Sequence, residues 1–181
     1  MPRFEGIKYY CDKEPELFEW NRAMDKIIAF CQGNRALDVG SGNVTLSPET
    51  KRADIAPYPG LDYQCDAAHL QDRNGVPLPN ISFDFVFSSH CLEHTDNPLE
   101  TLKEWCRVAQ KYVVVIIPNG EIFKNTSIDE LLAMGHKHNL YMENIWDMAQ
   151  QLRDVALLQE MGYITIGRAN IYFVLVKKNW G

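Results

Sequence analysis

Short apolar runs alternate with segments of helical periodicity through most of this chain. Five of the runs are predicted to be buried strands: RALDV (35–39), RADI (52–55), DYQC (62–65), FDFVFS (83–88) and YVVVII (112–117). The last run is apolar on both of its faces, which is typical of a central strand in a parallel sheet. Strands that alternate with helices predict a sheet covered on both faces. Ligands of such sheets bind outside the carboxyl ends of the strands.

Three segments have the apolar spacing of amphipathic helices. The first spans residues 15–30 and is expected to lie over the sheet as part of an N-terminal helical cap. The second begins after Asn97, whose side chain can cap it, with Glu100 completing a capping box. The third is predicted from 143 to 161, with Gly162 well placed to end it.

The C-terminal part of the chain predicts two more strands. YITIG (163–167) and IYFVLVKK (171–178) are joined by a short RAN segment, as in an antiparallel hairpin. The predicted fold is therefore α/β, with a Rossmann-like, doubly wound, mostly parallel seven-stranded sheet that ends in an antiparallel C-terminal hairpin. The 181 residues favour a single domain spanning 1–181.

Charge, the length of the apolar runs and cysteine content argue against several classes of protein. The chain has 18 basic and 24 acidic residues, a net charge of -6 and no basic run, which argues against a nucleic-acid backbone or an anionic membrane as a partner. Its apolar runs are far shorter than the roughly 20 residues of a membrane helix, and its N-terminus lacks the apolar core of a signal peptide. Five cysteines without a Cys-x-x-Cys pair favour a reduced, cytoplasmic protein.

Two glycines follow the first predicted strand directly. Gly40 and Gly42 indicate a sharp turn, where a missing Cβ either serves the turn itself or lets a ligand approach the backbone. A dinucleotide site has a third glycine at the position of Thr45. The threonine therefore argues against a nicotinamide-dependent oxidoreductase.

Three acidic residues stand at the ends of three successive predicted strands. They are Asp38, Asp54 and Asp66. Each alone is typical of a solvated turn, but packing does not explain the set. A carboxylate at Asp54 can accept hydrogen bonds from both hydroxyls of a ribose, and one at Asp66 can accept from an exocyclic amine.

These segments resemble a known family. ALDVGSG, ADI, QCDAAHL and FDFVFSSHCLEHTDNPLETLKEWCRV are similar to the class I S-adenosylmethionine-dependent methyltransferases, specifically the methyltransferase type 11 group. The resemblance spans about residues 35–118, and SSHCLEH with its following helix is its most specific part. It implies an enzyme that uses S-adenosylmethionine to methylate an acceptor.

For the methionine end of the cofactor, the resemblance implies contacts with Asp38, Gly40 and Gly42. It places Ser88 beside the methionine portion and the reactive methyl group. The chain departs from the family at Val44, where a further glycine is usual.

For the adenosine end, the resemblance implies that Asp54 holds the ribose hydroxyls and that Ile55 lies against the adenine face. Asp66 would reach the adenine amino group, and the backbone N–H of Ala67 a ring nitrogen. The connection at 43–51 is short, so the usual first helix is nearly absent.

Histidines supply the candidate catalytic groups, because histidine is the usual general base near neutral pH. His90 follows the fourth predicted strand and is expected to face the pocket. His136 and His138 lie in the acceptor-side insertion, 119–145, and His138 is the second candidate base. His94 is interpreted first as structural, bonding the backbone where the loop meets the helix.

No metal site is expected, because HCLEH straddles a strand-to-helix loop rather than one helix face. The expected acceptor is a small molecule or a saccharide, methylated on oxygen or nitrogen, although no motif identifies it. The alternative is a catalytically inactive cofactor-fold protein that acts as a binding partner or regulator. Monomer and dimer both stay open.

Overall fold

The computed structural model describes residues 8–9, 35–47, 49–163 and 169–178. The predicted cap, within 1–32, lies almost entirely outside these ranges. The described residues form these strands and α-helices: β1 (Lys8–Tyr9), β2 (Ala36–Val39), β3 (Val44–Thr45), β4 (Lys51–Asp54), β5 (Tyr63–Gln64), β6 (Phe83–Ser89), α1 (Pro98–Val108), β7 (Ala109–Pro118), α2 (Ile128–Ala133), α3 (Met142–Gln151), β8 (Ala156–Tyr163) and β9 (Asn170–Lys177). Short 3-10 helices occur at Leu92–His94, in the loop after β6, and at Gly120–Phe123.

Seven of these strands form the main sheet, in the order β5-β4-β2-β6-β7-β9-β8. The first five run parallel to one another, and β9 is antiparallel to both of its neighbours. The predicted Rossmann-like, mostly parallel sheet of seven strands is thus confirmed. The antiparallel strand β9 lies inside the sheet, however, whereas β8 forms the edge and runs parallel to the first five.

The prediction that the third helix ends at residue 161 is wrong. Helix α3 stops at Gln151, and β8 occupies 156–163. Except for Tyr163, the last residue of β8, the strand predicted at 163–167 lies outside the described residues. Apolar spacing in this segment fits a helix, but pairing with β9 over the length of β8 outweighs that local preference. Gly162, expected to end a helix, lies instead in the strand opposite Tyr172.

The core lies between the central strands and α1. Strands β6 and β7 are buried over most of their length, and α1 places Leu102, Trp105 and Cys106 against them. Asn97 caps α1 by accepting a hydrogen bond from the Glu100 N–H at 3.2 Å, as predicted. The Glu100 carboxylate accepts from Lys103 Nζ. Among the described helices, none combines the length and the apolar character that a membrane crossing requires.

The connection from β2 to β4 contains no helix in its described residues, 40–47 and 49–50. Instead, the two-residue strand β3 pairs in parallel with β1. The short first connection, without a helix in its described residues, is therefore confirmed, and strand β1 pairs with it.

Candidate functional site

A cavity of about 640 Å³ opens at the carboxyl ends of β2, β4 and β5. Its wall includes five of the predicted cofactor residues: Gly40, Asp54, Ile55, Asp66 and Ala67. The volume falls within the range of roughly 300–1,000 Å³ that is usual for small-molecule sites. The strand order reverses between β2 and β6, so the cavity lies beside the switch point where such folds bind ligands.

Asp54 ends β4 and links the glycine turn to this cavity. Its Oδ2 accepts a hydrogen bond from Gly42 N at 2.8 Å, and its Oδ1 accepts from Ala56 N at 2.9 Å. These bonds fix the orientation of the carboxylate while each oxygen keeps a second lone pair. Ile55 follows with 69% of its surface exposed, so a carboxylate and an apolar side chain stand together at the opening.

Gly40 and Gly42 differ in what surrounds the position that a Cβ atom would take. Gly40 has φ +71°, and a Cβ there would lie only 2.5 Å from Cβ and 2.6 Å from Sγ of Cys91. Gly42 has φ +52°, but nothing lies within 4 Å of the place a Cβ would take. Gly40 therefore makes room for the loop after β6, whereas Gly42 leaves open space.

Cys91 lines the cavity and was missed by sequence reasoning. Burial is the main reason that the pKa of its thiol is raised to about 12, with the Glu93 carboxylate adding to the effect. The thiol therefore stays protonated, and its part is to pack against Gly40. No sequence signal brings these two residues together, because their contact depends on how β2 and β6 pair.

The loop that carries Asp66 is held against α1. Asp66 Oδ1 accepts from Ala68 N at 2.7 Å, and the Ala67 carbonyl accepts from Trp105 Nε1 at 2.9 Å. Leu70 N donates to Glu104 Oε1 at 3.0 Å. Helix α1 therefore sets the position of the loop whose Asp66 and Ala67 are predicted to bond the edge of the adenine.

The cavity face of α1 is charged, which sequence reasoning also missed. Glu100, Lys103, Glu104 and Arg107 all line the cavity. Arg107 donates from Nε and Nη2 to the two oxygens of Glu104, at 2.7 Å each, and this carboxylate raises the pKa of the guanidinium. The spacing of these four residues along one helix face was the signal that could have found them.

We expect Trp105→Phe to weaken binding of S-adenosylhomocysteine and to destabilise the fold. The change keeps the aromatic ring but removes the donor to the Ala67 carbonyl. Loss of such a partner costs about 1–3 kcal/mol. Urea unfolding would measure the stability and calorimetry the affinity. Unchanged values in both would show that this hydrogen bond does not hold the loop.

Three predicted cofactor residues are missing from the described cavity wall: Asp38, Gly42 and Ser88. Asp38 is 1% exposed and lies in β2 opposite Arg52 of β4. Ser88 is fully buried, and its hydroxyl donates to the Val39 carbonyl at 2.8 Å, which ties β6 to β2. Their contacts with the methionine end stay predictions.

The two candidate bases lie in different surroundings. His90 is exposed, has φ +55°, and contacts Asn170 Oδ1 through Nε2 at 2.9 Å and Ser89 Oγ through Nδ1 at 3.0 Å. His138 contacts the Asp96 carbonyl through Nε2 at 3.2 Å. Neither ring is part of the described cavity wall. Each histidine is next in sequence to a residue that lines the cavity, since His90 precedes Cys91 and His138 follows Lys137.

His94 bonds backbone, as the sequence predicted, but at a different place. Its Nδ1 donates to the Gly135 carbonyl at 2.7 Å, across to the segment after α2 rather than at the start of α1. The side chain also lines the cavity. It therefore connects the loop after β6 to the segment predicted to form the acceptor side.

A doubly wound sheet of this order, with a glycine turn and an acidic strand end at one cavity, is the arrangement that the sequence resemblance implies. Residues 37–117 match the model of the family described as "Methyltransferase domain", which supports a class I S-adenosylmethionine-dependent methyltransferase. S-adenosylmethionine is its cofactor and methyl transfer its reaction. The sequence matches none of the curated proteins with which it was compared.

Solved structures share the fold at low sequence identity. A SAM-dependent methyltransferase from Aquifex aeolicus is 18% identical with a TM-score of 0.58, over 91% of this chain and 94% of that one. A methyltransferase from Mesorhizobium loti is 12% identical with a TM-score of 0.65, over 88% and 98%. Magnesium protoporphyrin IX methyltransferase from Synechocystis PCC 6803, solved with bound SAH, is 11% identical with a TM-score of 0.56, over 89% and 84%.

Proposed function

We propose that this enzyme methylates an oxygen or nitrogen atom of a small molecule or saccharide. The observation that carries the proposal is the cavity at the strand ends, which is lined both by candidate cofactor residues and by Lys137 of the acceptor-side segment. The acceptor would share this cavity with the cofactor, and its volume of about 640 Å³ is in the usual range for small-molecule sites.

The residues present fit the adenosyl part of the cofactor. Asp54, already oriented by two backbone N–H groups, would accept from the ribose hydroxyls through its remaining lone pairs. Ile55 would lie against the adenine, and Asp66 with the Ala67 N–H would bond its edge. The cofactor supplies an activated methyl group, and the protein's main task is to align the acceptor with it.

His90 is the better supported of the two candidate bases. Because the Asn170 side-chain oxygen accepts a hydrogen bond from the His90 ring, Nε2 carries the hydrogen and Nδ1 holds the lone pair. Ser89 Oγ lies 3.0 Å from His90 Nδ1. The Ser89 oxygen can therefore take a proton from the methyl acceptor while its own hydroxyl proton passes to the imidazole. The proton that the acceptor loses on methylation then resides on His90.

Residues 119–145 are proposed to form the acceptor side. Lys137 from this segment lines the cavity, and its Nζ bonds Asp96 Oδ1 at 2.6 Å. This contact closes the wall between the loop after β6 and the segment after α2. His138, the second candidate base, lies next to it.

The proposed function is tested by incubating the protein and S-adenosylmethionine with a small-molecule extract. Mass spectrometry should detect at least one compound that gains a single methyl group, and no gain when heat-inactivated protein is used. Failure to methylate any small molecule, by protein that binds the cofactor, would contradict the proposed acceptor class.

Asp54→Ala is expected to weaken the binding of S-adenosylhomocysteine by about 30–150-fold. The change removes the charged acceptor of two ribose hydrogen bonds, a loss of about 2–3 kcal/mol. Isothermal calorimetry would measure the affinity. Asp147→Ala, an exposed carboxylate on α3, is the matched control and should bind as the wild type does. Equal affinities for the two variants would remove Asp54 from the site.

A further inference from the structure

Three side chains with metal-binding atoms meet beside the cavity. They are Glu93 and His94, from the loop after β6, and His136, from the segment after α2. One ligand atom from each lies within 4.8 Å of the others. We propose that this cluster binds one divalent transition-metal ion, with zinc as the expected metal, at a site separate from the residues that would hold the cofactor.

The hydrogen bond of His94 leaves the correct nitrogen available. Because Nδ1 donates to the Gly135 carbonyl, Nε2 carries the lone pair. That Nε2 lies 3.7 Å from Glu93 Oε1, which is too long for a hydrogen bond. Two ligands of a tetrahedral zinc ion lie roughly 3.3 Å apart, given bonds of about 2.0–2.1 Å. A metal-bound histidine usually donates its other ring N–H to such a carbonyl.

The other two groups of the cluster are buried polar groups. Glu93 is 1% exposed, and among the described residues neither of its side-chain oxygens has a hydrogen-bond partner of normal geometry. Nδ1 of His136 is likewise buried and unpartnered within the described part of the chain. Unpaired buried polar groups are costly. One cation placed between them would satisfy the carboxylate and both imidazoles.

The cluster is held in place by its surroundings. The ring of His136 packs edge-on against His94 at 4.9 Å and against Phe123 at 5.1 Å, measured between ring centroids. The N–H groups of Lys137 and His138 both donate to the Glu93 carbonyl, at 2.9 and 3.1 Å. The ligands are therefore brought together by backbone pairing before any ion binds.

The donor set indicates the class of metal. Two imidazoles and one carboxylate suit zinc and its neighbours better than calcium or magnesium, which prefer oxygen ligands. Three protein ligands leave a fourth tetrahedral position for water or for a group of the acceptor. His94 also lines the cavity, so the ion would tie the proposed acceptor side to the loop after β6.

The sequence expectation of no metal considered only His-x-x-x-His spacing. In the structure His90 points to Asn170 and His138 to Asp96, so neither belongs to the cluster. Its ligands are instead the consecutive pair Glu93 and His94 together with His136, which lies far along the chain. No local spacing reveals such a set.

The test uses the full chain, stripped of metal by a chelator and kept reduced so that its thiols stay defined. Zn²⁺ titration by calorimetry should give one equivalent with a raised melting temperature, and Co²⁺ should give the visible absorption of a tetrahedral nitrogen and oxygen site. Glu93→Gln and His136→Ala should each weaken the affinity for zinc by about 10–100-fold or more. His138→Ala should bind zinc as the wild type does.

Absence of zinc binding by the wild type would overturn the proposal. Wild-type affinity in both ligand variants would also overturn it, since the metal would then lie on the cysteines or elsewhere. Glu93→Gln keeps the shape of the side chain, so it remains informative if His136→Ala fails to fold. Binding of S-adenosylhomocysteine is measured separately, which distinguishes failure of this site from failure of the cofactor site.

Discussion

Replacing His90 with alanine should lower kcat for methyl transfer by about 10²–10⁴-fold, while the affinity for S-adenosylmethionine stays close to that of the wild type. The variant loses the imidazole that takes the proton passed on by Ser89, but His90 is not among the described residues that line the cofactor cavity. Steady-state rates at saturating cofactor would measure the change.

Two other variants locate the base. Asn170→Ala should lower kcat less than His90→Ala, because Asn170 orients the ring through Nε2 without taking the proton. His138→Ala should keep a rate close to that of the wild type. If His138→Ala instead loses the rate while His90→Ala keeps it, the base lies in the acceptor-side segment and the role given to His90 is wrong.

Gly40→Ala should lower the free energy of unfolding by about 2–5 kcal/mol. A residue with a side chain at φ +71° costs about 1–2 kcal/mol, and crowding against Cys91 adds about 1–3 kcal/mol. Urea unfolding followed by circular dichroism would measure the loss. Cofactor affinity should fall as well, because the turn carries the N–H that orients Asp54.

Gly42→Ala is the matched control for that prediction. It has a similar backbone conformation, φ +52°, but open space around the Cβ position. Its expected cost is therefore only about 1–2 kcal/mol. Cys91→Gly, combined with Gly40→Ala, should recover the part of the loss that comes from crowding. Equal destabilisation by the two glycine variants would show that the contact with Cys91 costs nothing.

Features set by neighbouring residues were predictable from the sequence. Asn97 caps α1 because its side chain and the Glu100 N–H lie within one turn. Asp54 and Asp66 reach one cavity because parallel strands end at the same edge of a sheet. The class of sheet was predictable for the same reason, because the apolar pattern of each strand repeats over only a few residues.

Features set by distant pairing were not predictable. The segment at 156–163 forms a strand because β9 pairs with it, although its apolar spacing fits a helix. Gly40 is required by Cys91, and Glu93 meets His136, only once the sheet and the segment after α2 are in place. Such contacts join parts of the chain whose separation carries no periodic signal.

The position of β9 between β7 and β8 affects how the sheet can assemble. Strand β9 follows β8 in the chain but lies between β7 and β8, so β8 cannot join the sheet until β9 has paired. Until then, β7 and β8 both present unpaired backbone edges, so this half of the sheet is open to mispairing during folding.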